Sequence, residues 1–447
     1  MAYNIMQTID TIIFPRWLIP IEPEGVCLEH HAIAIKQGKI IGIHPAHEVE
    51  TLYQAKEIIH LKDHVLMPGL INAHTHSPMA LFRGMADDLQ LMDWLQNHIW
   101  PAEAKWVGEE FVYDGTRLAI LEMLRSGTTC FNENYFYLEQ IGQAAKEIGM
   151  RAALGACVFD IPNAYAGNID EGLVHAETLY EYWHQEPLFR VSIAPQGPYS
   201  LSNESFKKVQ KYTEKYPVKI HLHLHETLDE IQQSLTHYNK RPIARLHDLG
   251  LLSERTQCVH MVHVNAKEIA LLQKLAVHIT HCPKSNLKLA SGFAPIKKFI
   301  DAGLNVAIGT DGACSNNSLD LFDEMKIAAL LAKAVAQDST ALTAIEALNM
   351  ATINGARALG WDAEIGSLLP GKAADMIAVR MNAINTTPVY SIFSHLVYAL
   401  NSQQVSDVWV AGKQLLKNSE FETLNVNAVL EKAHFWQRRI RGFPGNS

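Results

Sequence analysis

Histidine is over-represented in this chain of 447 residues, with 22 present, and several stand two residues apart. His74-Thr75-His76 is the first such pair. In an extended segment residues i and i+2 share a face, so two imidazoles can converge on one ion. Histidine pairs are common on surfaces, and the weight of this one comes from the apolar run Val65–Asn72 that precedes it. His221-Leu222-His223-Leu224-His225-Glu226-Thr227 repeats the alternation, with the leucines on the opposite face. His223 can supply a third imidazole, while His221 reads as part of a polar interior. Glu226 falls in the following loop, where a carboxylate can reach a substrate and an activated water. Asp311, in Ile308-Gly309-Thr310-Asp311-Gly312, reads either as a turn aspartate before glycine or as a ligand. Three imidazoles (His74, His76, His223) and the Asp311 carboxylate around one divalent ion with an open position suit a hydrolytic zinc or iron(II) centre. Such an ion lowers the pKa of its water to ~7.

Residues so far apart in sequence need a scaffold that gathers them. Short apolar segments alternate with helical ones: Val65–Asn72, Gly127–Phe131, Arg151–Val158, Arg190–Pro195, Val218–His223, Thr256–His260, Ala276–His281 and Asn305–Gly309 read as strands. Helices are expected around Leu89–His98, Glu109–Ser126, Leu138–Ile148 and Leu173–His184. Eight strands with helices between them have the rhythm of a (β/α)8 barrel. An open doubly wound sheet would alternate similarly, but no glycine-rich phosphate loop follows the first strand. In a barrel, catalytic groups come from the C-terminal strand ends, and here those ends carry His74 and His76, His223 with Glu226, His260, His281 and Asp311. Both chain ends are strand-rich, with hairpin breaks at Gln37-Gly38 and Gly412-Lys413. The expected division is a small β-sandwich domain built from residues 1–64 and 366–447, the latter including a terminal helix, around a barrel of residues 65–365.

The composition, 48% hydrophobic and 19% charged, is that of a globular protein. The N-terminal MAYNIMQTIDTIIFPRW has no basic region followed by an apolar stretch, so no secretory signal is expected. Six cysteines without a CxxC pair argue against both a disulfide framework and a cysteine-bound zinc, and suit a cytoplasmic setting. A net charge of −9 without a basic patch argues against nucleic acid and acidic membranes as partners.

The candidate residues lie within longer motifs: PGLINAHTHSPMALFRGMADDL (Pro68–Leu89), HLHETLDE (His223–Glu230), VHMVHV (Val259–Val264), HCPKSNLKLASG (His281–Gly292), GTDGACSNNSLDLFDEM (Gly309–Met325) and GSLLPGKAADMIAV (Gly366–Val379). In these the chain resembles the amidohydrolases, specifically their cytosine deaminase and triazine hydrolase branch, and within it the 5-methylthioadenosine/S-adenosylhomocysteine deaminases. The resemblance implies one metal, usually zinc, on His74, His76, His223 and Asp311, and a catalytic pair, Glu226 and His260, with Asp311 taking the proton of the attacking water. Many amidohydrolases bridge two metals with a lysine from the fourth strand. Here that strand ends Ile193-Ala194-Pro195-Gln196, and Lys219, in the next strand, reads as structural. The implied reaction is hydrolytic deamination of an adenine nucleoside (5′-methylthioadenosine, S-adenosylhomocysteine or adenosine) at C6, giving the inosine analogue and ammonia. The resemblance further implies a homo-oligomer with a small-molecule nucleoside as its partner. It places Trp94 against the nucleoside and Glu103 on the ribose hydroxyls, where a carboxylate can accept from two vicinal donors.

Two positions depart from the family pattern. Gln196 stands where a histidine usually contacts the nucleoside, and a glutamine can hydrogen-bond but carries no charge. Ala156 stands where an arginine helps to hold the homocysteine carboxylate, which weakens the case for S-adenosylhomocysteine. Asn286, in Lys284-Ser285-Asn286, reads as a pocket residue or as part of a turn. The alternatives are a related enzyme acting on a free purine, a pterin or a triazine, and a non-catalytic scaffold with the same fold. Glu103 favours the ribose-bearing substrate, and a scaffold would be expected to have lost a ligand or the acid/base, none of which is missing.

Overall fold

A computed structural model describes residues 6–163, 165–422 and 424–441. Its core is an eight-stranded parallel sheet in sequential order: Leu70–Thr75, Thr128–Tyr135, Arg151–Val158, Phe189–Pro195, Lys219–Leu224, Thr256–His260, His278–His281 and Val306–Ile308. The first and eighth strands close it. Thr75 bridges Asp311, and the Asp311 amide donates to the His74 carbonyl at 3.0 Å. Asn72 and Thr310 add a reciprocal pair, Asn72 Nδ2 to Thr310 Oγ1 at 2.7 Å and the Thr310 amide to Asn72 Oδ1 at 3.0 Å. Gly309 permits this closure: a Cβ there would lie 2.8 Å from the His74 Cβ. The expected (β/α)8 barrel is therefore what the chain forms, with helices such as Glu109–Arg125, Leu138–Ile148 and Ile169–Trp183 outside it.

The barrel interior is polar at mid-height. Gln257 Nε2 donates to the Ala73 carbonyl and to Thr280 Oγ1, both at 2.6 Å, and Asn132 Nδ2 donates to Gln257 Oε1 at 3.0 Å. In this buried plug the Gln257 and Asn132 amide donors are thus paired, while Asn132 Oδ1 has no hydrogen-bond partner among the described residues. The metal-ligand candidates stand above it.

Both chain ends meet in a second, nine-stranded sheet. Tyr53–Pro68 pairs in parallel with Gln7–Leu18 on one side and antiparallel with Met376–Arg380 on the other. The sheet curls until its hairpin turns touch: a Cβ on Gly412 would lie 2.8 Å from the Gly38 Cα, and the Ala374 amide donates to the Gly38 carbonyl at 2.8 Å. Its two halves thus enclose a common apolar core that includes Ile33, Ile35, Leu66, Met376 and Trp409, in the manner of a sandwich. A buried ion pair fastens this sheet to the barrel, Arg151 Nε donating to Asp375 Oδ2 at 2.8 Å.

One expected strand is corrected. Val65–Asn72 is not a single barrel strand, because Val65–Pro68 belongs to the curled sheet and the barrel strand begins at Leu70. Pro68 brings no amide donor, and Gly69 passes so close to Thr129 that a Cβ would lie 2.1 Å from its hydroxyl. The helix expected around Leu89–His98 also continues further. Leu91–Asp93 runs through a π-helical turn, Trp94–Ile99, into Trp100–Trp106. Among the described residues no helix is long and apolar enough to cross a membrane.

Candidate active site

His74 and His76 lie at the end of the first barrel strand, His223 on the fifth, and Asp311 just beyond the eighth. One potential ligand atom from each falls within 4.8 Å of the others. The three rings are aimed from behind through Nδ1: His74 meets His221 Nε2 at 2.9 Å, His76 the Asn134 carbonyl at 2.5 Å, and His223 the Gln196 carbonyl at 2.8 Å. A carbonyl partner makes Nδ1 the proton donor, so the neutral ring of His76 or His223 keeps its lone pair on Nε2, and His74 turns the same nitrogen towards the cluster. Asp311 Oδ1 lies 3.2 Å from His74 Nε2 and 3.1 Å from His76 Nε2. Its Oδ2 accepts from Ser285 Oγ at 2.6 Å and Ser315 Oγ at 2.8 Å.

The charge balance suits a cation. Burial drives His74 well below its usual pKa and takes His223 down to about 3, so both are neutral at physiological pH, whereas at His76 the Asp311 carboxylate outweighs burial and raises the pKa to about 9. Burial works against the Asp311 carboxylate, but the His74 and His76 imidazoles beside it more than reverse that and hold the group ionised. His74 Nε2 is buried with no satisfactory hydrogen-bond partner. Three nitrogens and one carboxylate oxygen so placed fit a tetrahedral or five-coordinate zinc or iron(II) ion.

Two further groups stand beside the cluster. His260, at the end of the sixth strand, has its Nε2 3.7 Å from Glu226 Oε2, and its Nδ1 donates to Asn286 Oδ1 at 2.8 Å. Glu226 Oε1 accepts from Ser291 Oγ at 3.1 Å. Burial raises the Glu226 pKa, Asp311 adds to the shift, and His260 opposes it. His225, His260 and Asp311 all have positive φ, at 55°, 73° and 62°. Such non-glycine strain clusters where the surrounding structure fixes side chains for a task.

A cavity of about 500 Å³ opens onto these groups. His76, His223, Glu226, His260 and Asp311 bound one part, while Leu91, Leu95, Trp100, Phe159, Ile161 and Pro162 bound another. Trp94, Glu103, Tyr135, Gln196 and Tyr199 also line it.

Residues 65–415 match the amidohydrolase family model. A 5-methylthioadenosine/S-adenosylhomocysteine deaminase from Saccharophagus degradans is 44% identical over 97% of each chain. The chain belongs to the amidohydrolase family. Among solved structures, an adenosine deaminase from Xanthomonas campestris with bound zinc superimposes with a TM-score of 0.96 at 45% identity, covering 98% of this chain and 99% of that one. An atrazine chlorohydrolase from Arthrobacter aurescens complexed with zinc shares the fold, with a TM-score of 0.90 at 23% identity over 95% and 99% of the two chains.

Against this amidohydrolase frame, the structure brings together His74, His76, His223, Glu226, His260 and Asp311, and it puts Trp94, Glu103 and Gln196 on the cavity wall. Gln196 serves in two ways. Its carbonyl orients His223 whatever side chain stands there, and its Oε1 accepts weakly from Cys157 Sγ at 3.4 Å. Asn286 is placed differently from expectation. It is 1% exposed and bonded to His260, so it acts on the site through that ring and does not line the cavity. His221 is more than interior polarity, since it holds His74. Lys219 lies away from the cluster and donates to the Glu254 carbonyl at 2.9 Å. His281 is buried and is not among the metal-ligand candidates.

Sequence reading missed Ser285, Ser291, Ser315 and Tyr135. Ser315 follows Asp311 by four residues in a short helical turn, which is a usable signal. Tyr135 shares a strand face with Glu133, the buried carboxylate that accepts from the Ser77 amide at 2.9 Å. The other two serines offer no spacing rule.

Proposed function

We propose that this amidohydrolase deaminates adenine nucleosides hydrolytically at C6, releasing the inosine analogue and ammonia. One divalent ion, zinc by preference of the ligand set, would be held by His74, His76, His223 and Asp311. The observation that carries the reading is that one cavity is lined by three members of the four-residue cluster, His76, His223 and Asp311, together with Glu226, His260 and Glu103, while His74 completes the cluster beneath its wall. The names of the relatives at 44% and 45% identity support the same reaction. A free base or a triazine would leave Glu103 without a partner on the substrate.

When bound, the ion supplies Lewis acidity that makes hydroxide available near neutral pH. The Asp311 carboxylate, steadied by two serine hydroxyls, accepts the proton released by the attacking water. Glu226, biased by burial towards its protonated form, donates to ring nitrogen N1 as the C6–O bond forms. As the C6–N bond breaks, the proton held on Asp311 goes to the departing amine, and the hydroxyl added at C6 returns its proton to Glu226 as the carbonyl forms. With Nδ1 committed to Asn286, His260 is held with its Nε2 beside Glu226, where it can face the oxygen added at C6.

The cavity wall also bears on the 5′ substituent. Among its described lining residues there is no lysine or arginine, whereas Glu103, Glu226 and Asp311 are carboxylates. An amino-acid tail would place its own carboxylate there without a cation, which is costly for a desolvated charge. Methylthioadenosine and adenosine, with uncharged 5′ groups, fit better than S-adenosylhomocysteine. Ultraviolet-monitored deamination by zinc-reconstituted protein tests both points. Turnover of the first two above the third is expected. Turnover of free bases or triazines alone would overturn the nucleoside reading.

A further inference from the structure

Glu103 reaches the cavity from the helical turn Trp100–Trp106, in the connection that follows the first barrel strand. A glutamate on such a connection has three rotatable bonds, so binding a diol would ordinarily include the cost of freezing it. Here it is already held. Tyr135, the last residue of the second barrel strand, donates its hydroxyl to Glu103 Oε1 at 2.7 Å. The tyrosine itself has little freedom: it is 4% exposed, its ring centroid lies 5.2 Å from that of Phe136, and it lies 6.3 Å from that of His76. Among the described residues none donates a hydrogen bond to the second carboxylate oxygen, and both residues line the cavity.

From this geometry we infer that Tyr135 is a specificity-positioning residue, which clamps Glu103 to the barrel so that one carboxylate oxygen stays directed at the vicinal hydroxyls of a ribose. It thereby sets the preference for ribonucleosides over deoxynucleosides. The inference rests on the nucleoside reading above. It explains why a phenol is placed where any apolar side chain would fill the space. Burial pushes the Glu103 pKa up to about 7, and the phenol's hydrogen bond opposes that shift, so the same contact helps the acceptor stay ionised. A carboxylate held in this state gains most from a diol and little from a single hydroxyl, because charge-assisted bonds are about twice as strong as neutral ones.

The test compares wild type, Tyr135→Phe, Glu103→Gln and the double variant on adenosine, 2′-deoxyadenosine and 3′-deoxyadenosine, with zinc content measured for each. Tyr135→Phe keeps the buried ring. It is expected to lower kcat/KM for adenosine about tenfold, the order of one hydrogen bond to a charged group, and to do so through KM with kcat nearly kept. The deoxynucleosides should fall less, and the double variant should be no worse than Glu103→Gln alone. Calorimetric binding of inosine and 2′-deoxyinosine to the same proteins should show the same narrowing without turnover. An equal loss on all three nucleosides, or additive losses in the double variant, would overturn the inference. Wild-type protein that deaminates none of the three, nor methylthioadenosine, would overturn the functional reading and this inference with it.

Discussion

The two parts of the cavity wall are held in opposite ways. Around the cluster, His76, His223, Glu226, His260 and Asp311 are each fixed from behind, by Asn134, Gln196, Ser291, Asn286 and the pair Ser285 and Ser315. Along the other part, Leu91, Leu95, Trp100, Phe159, Ile161 and Pro162 are half-buried or exposed and are set by packing. A metal and a proton-transfer group tolerate little displacement, so each needs a specific partner. A surface that only excludes water can be built from many apolar residues. The two parts should therefore answer mutation very differently.

The largest effect is expected from His223→Ala, which removes one of three nitrogens. Elemental analysis should show the bound metal gone and assays should show no activity above background. Full metal occupancy would remove His223 from the ligand set. Next is Glu226→Gln, which keeps the shape of the side chain and its contact with Ser291. Metal content should be unchanged while kcat falls about 10²- to 10⁴-fold, the range for loss of a positioned acid/base. Retained turnover would break the assignment of proton transfer to Glu226.

A smaller effect is expected one step behind the metal. His221→Phe removes the partner of His74 Nδ1 but leaves all four ligands in place. Metal affinity should drop about 10- to 100-fold, as for other residues that orient a metal-binding histidine, and activity should return with excess zinc. Unchanged affinity in a competition titration with a chelator would return His221 to the status of barrel filling.

The same contrast decides what was legible in the sequence. Two histidines in His74-Thr75-His76 share a strand face by elementary geometry, and a carboxylate at a strand end is visible as such. That was enough to foresee the cluster and the barrel that assembles it. The partners behind it were not visible, because Asn286, Ser291 and Gln196 act over 26, 65 and 27 residues of sequence separation, through contacts that only the closed barrel creates. The small sheet was visible at its two Gly-containing turns, but the division between it and the barrel was not. Val65–Asn72 is apolar throughout, and burial in either sheet accounts for it equally well. On the outer wall the sequence shows apolar residues without showing that they face a substrate.

The smallest predicted effect is the one that sharpens the outer wall. Ile161 lines the cavity and is 58% exposed, so an arginine there can keep its guanidinium in water while reaching inward. If the preference against a charged 5′ tail comes from the lack of a cation, Ile161→Arg should raise kcat/KM for S-adenosylhomocysteine relative to methylthioadenosine. An exposed ion pair contributes at most ~1 kcal/mol, so the gain should be no more than about fivefold and should fade with added salt. Metal content and the rate on adenosine should stay as they were, since residue 161 takes part in none of the hydrogen bonds that fix the cluster. A gain that ignores salt would mean that the arginine acts by reshaping the wall, and that packing, not charge, governs which 5′ groups are admitted.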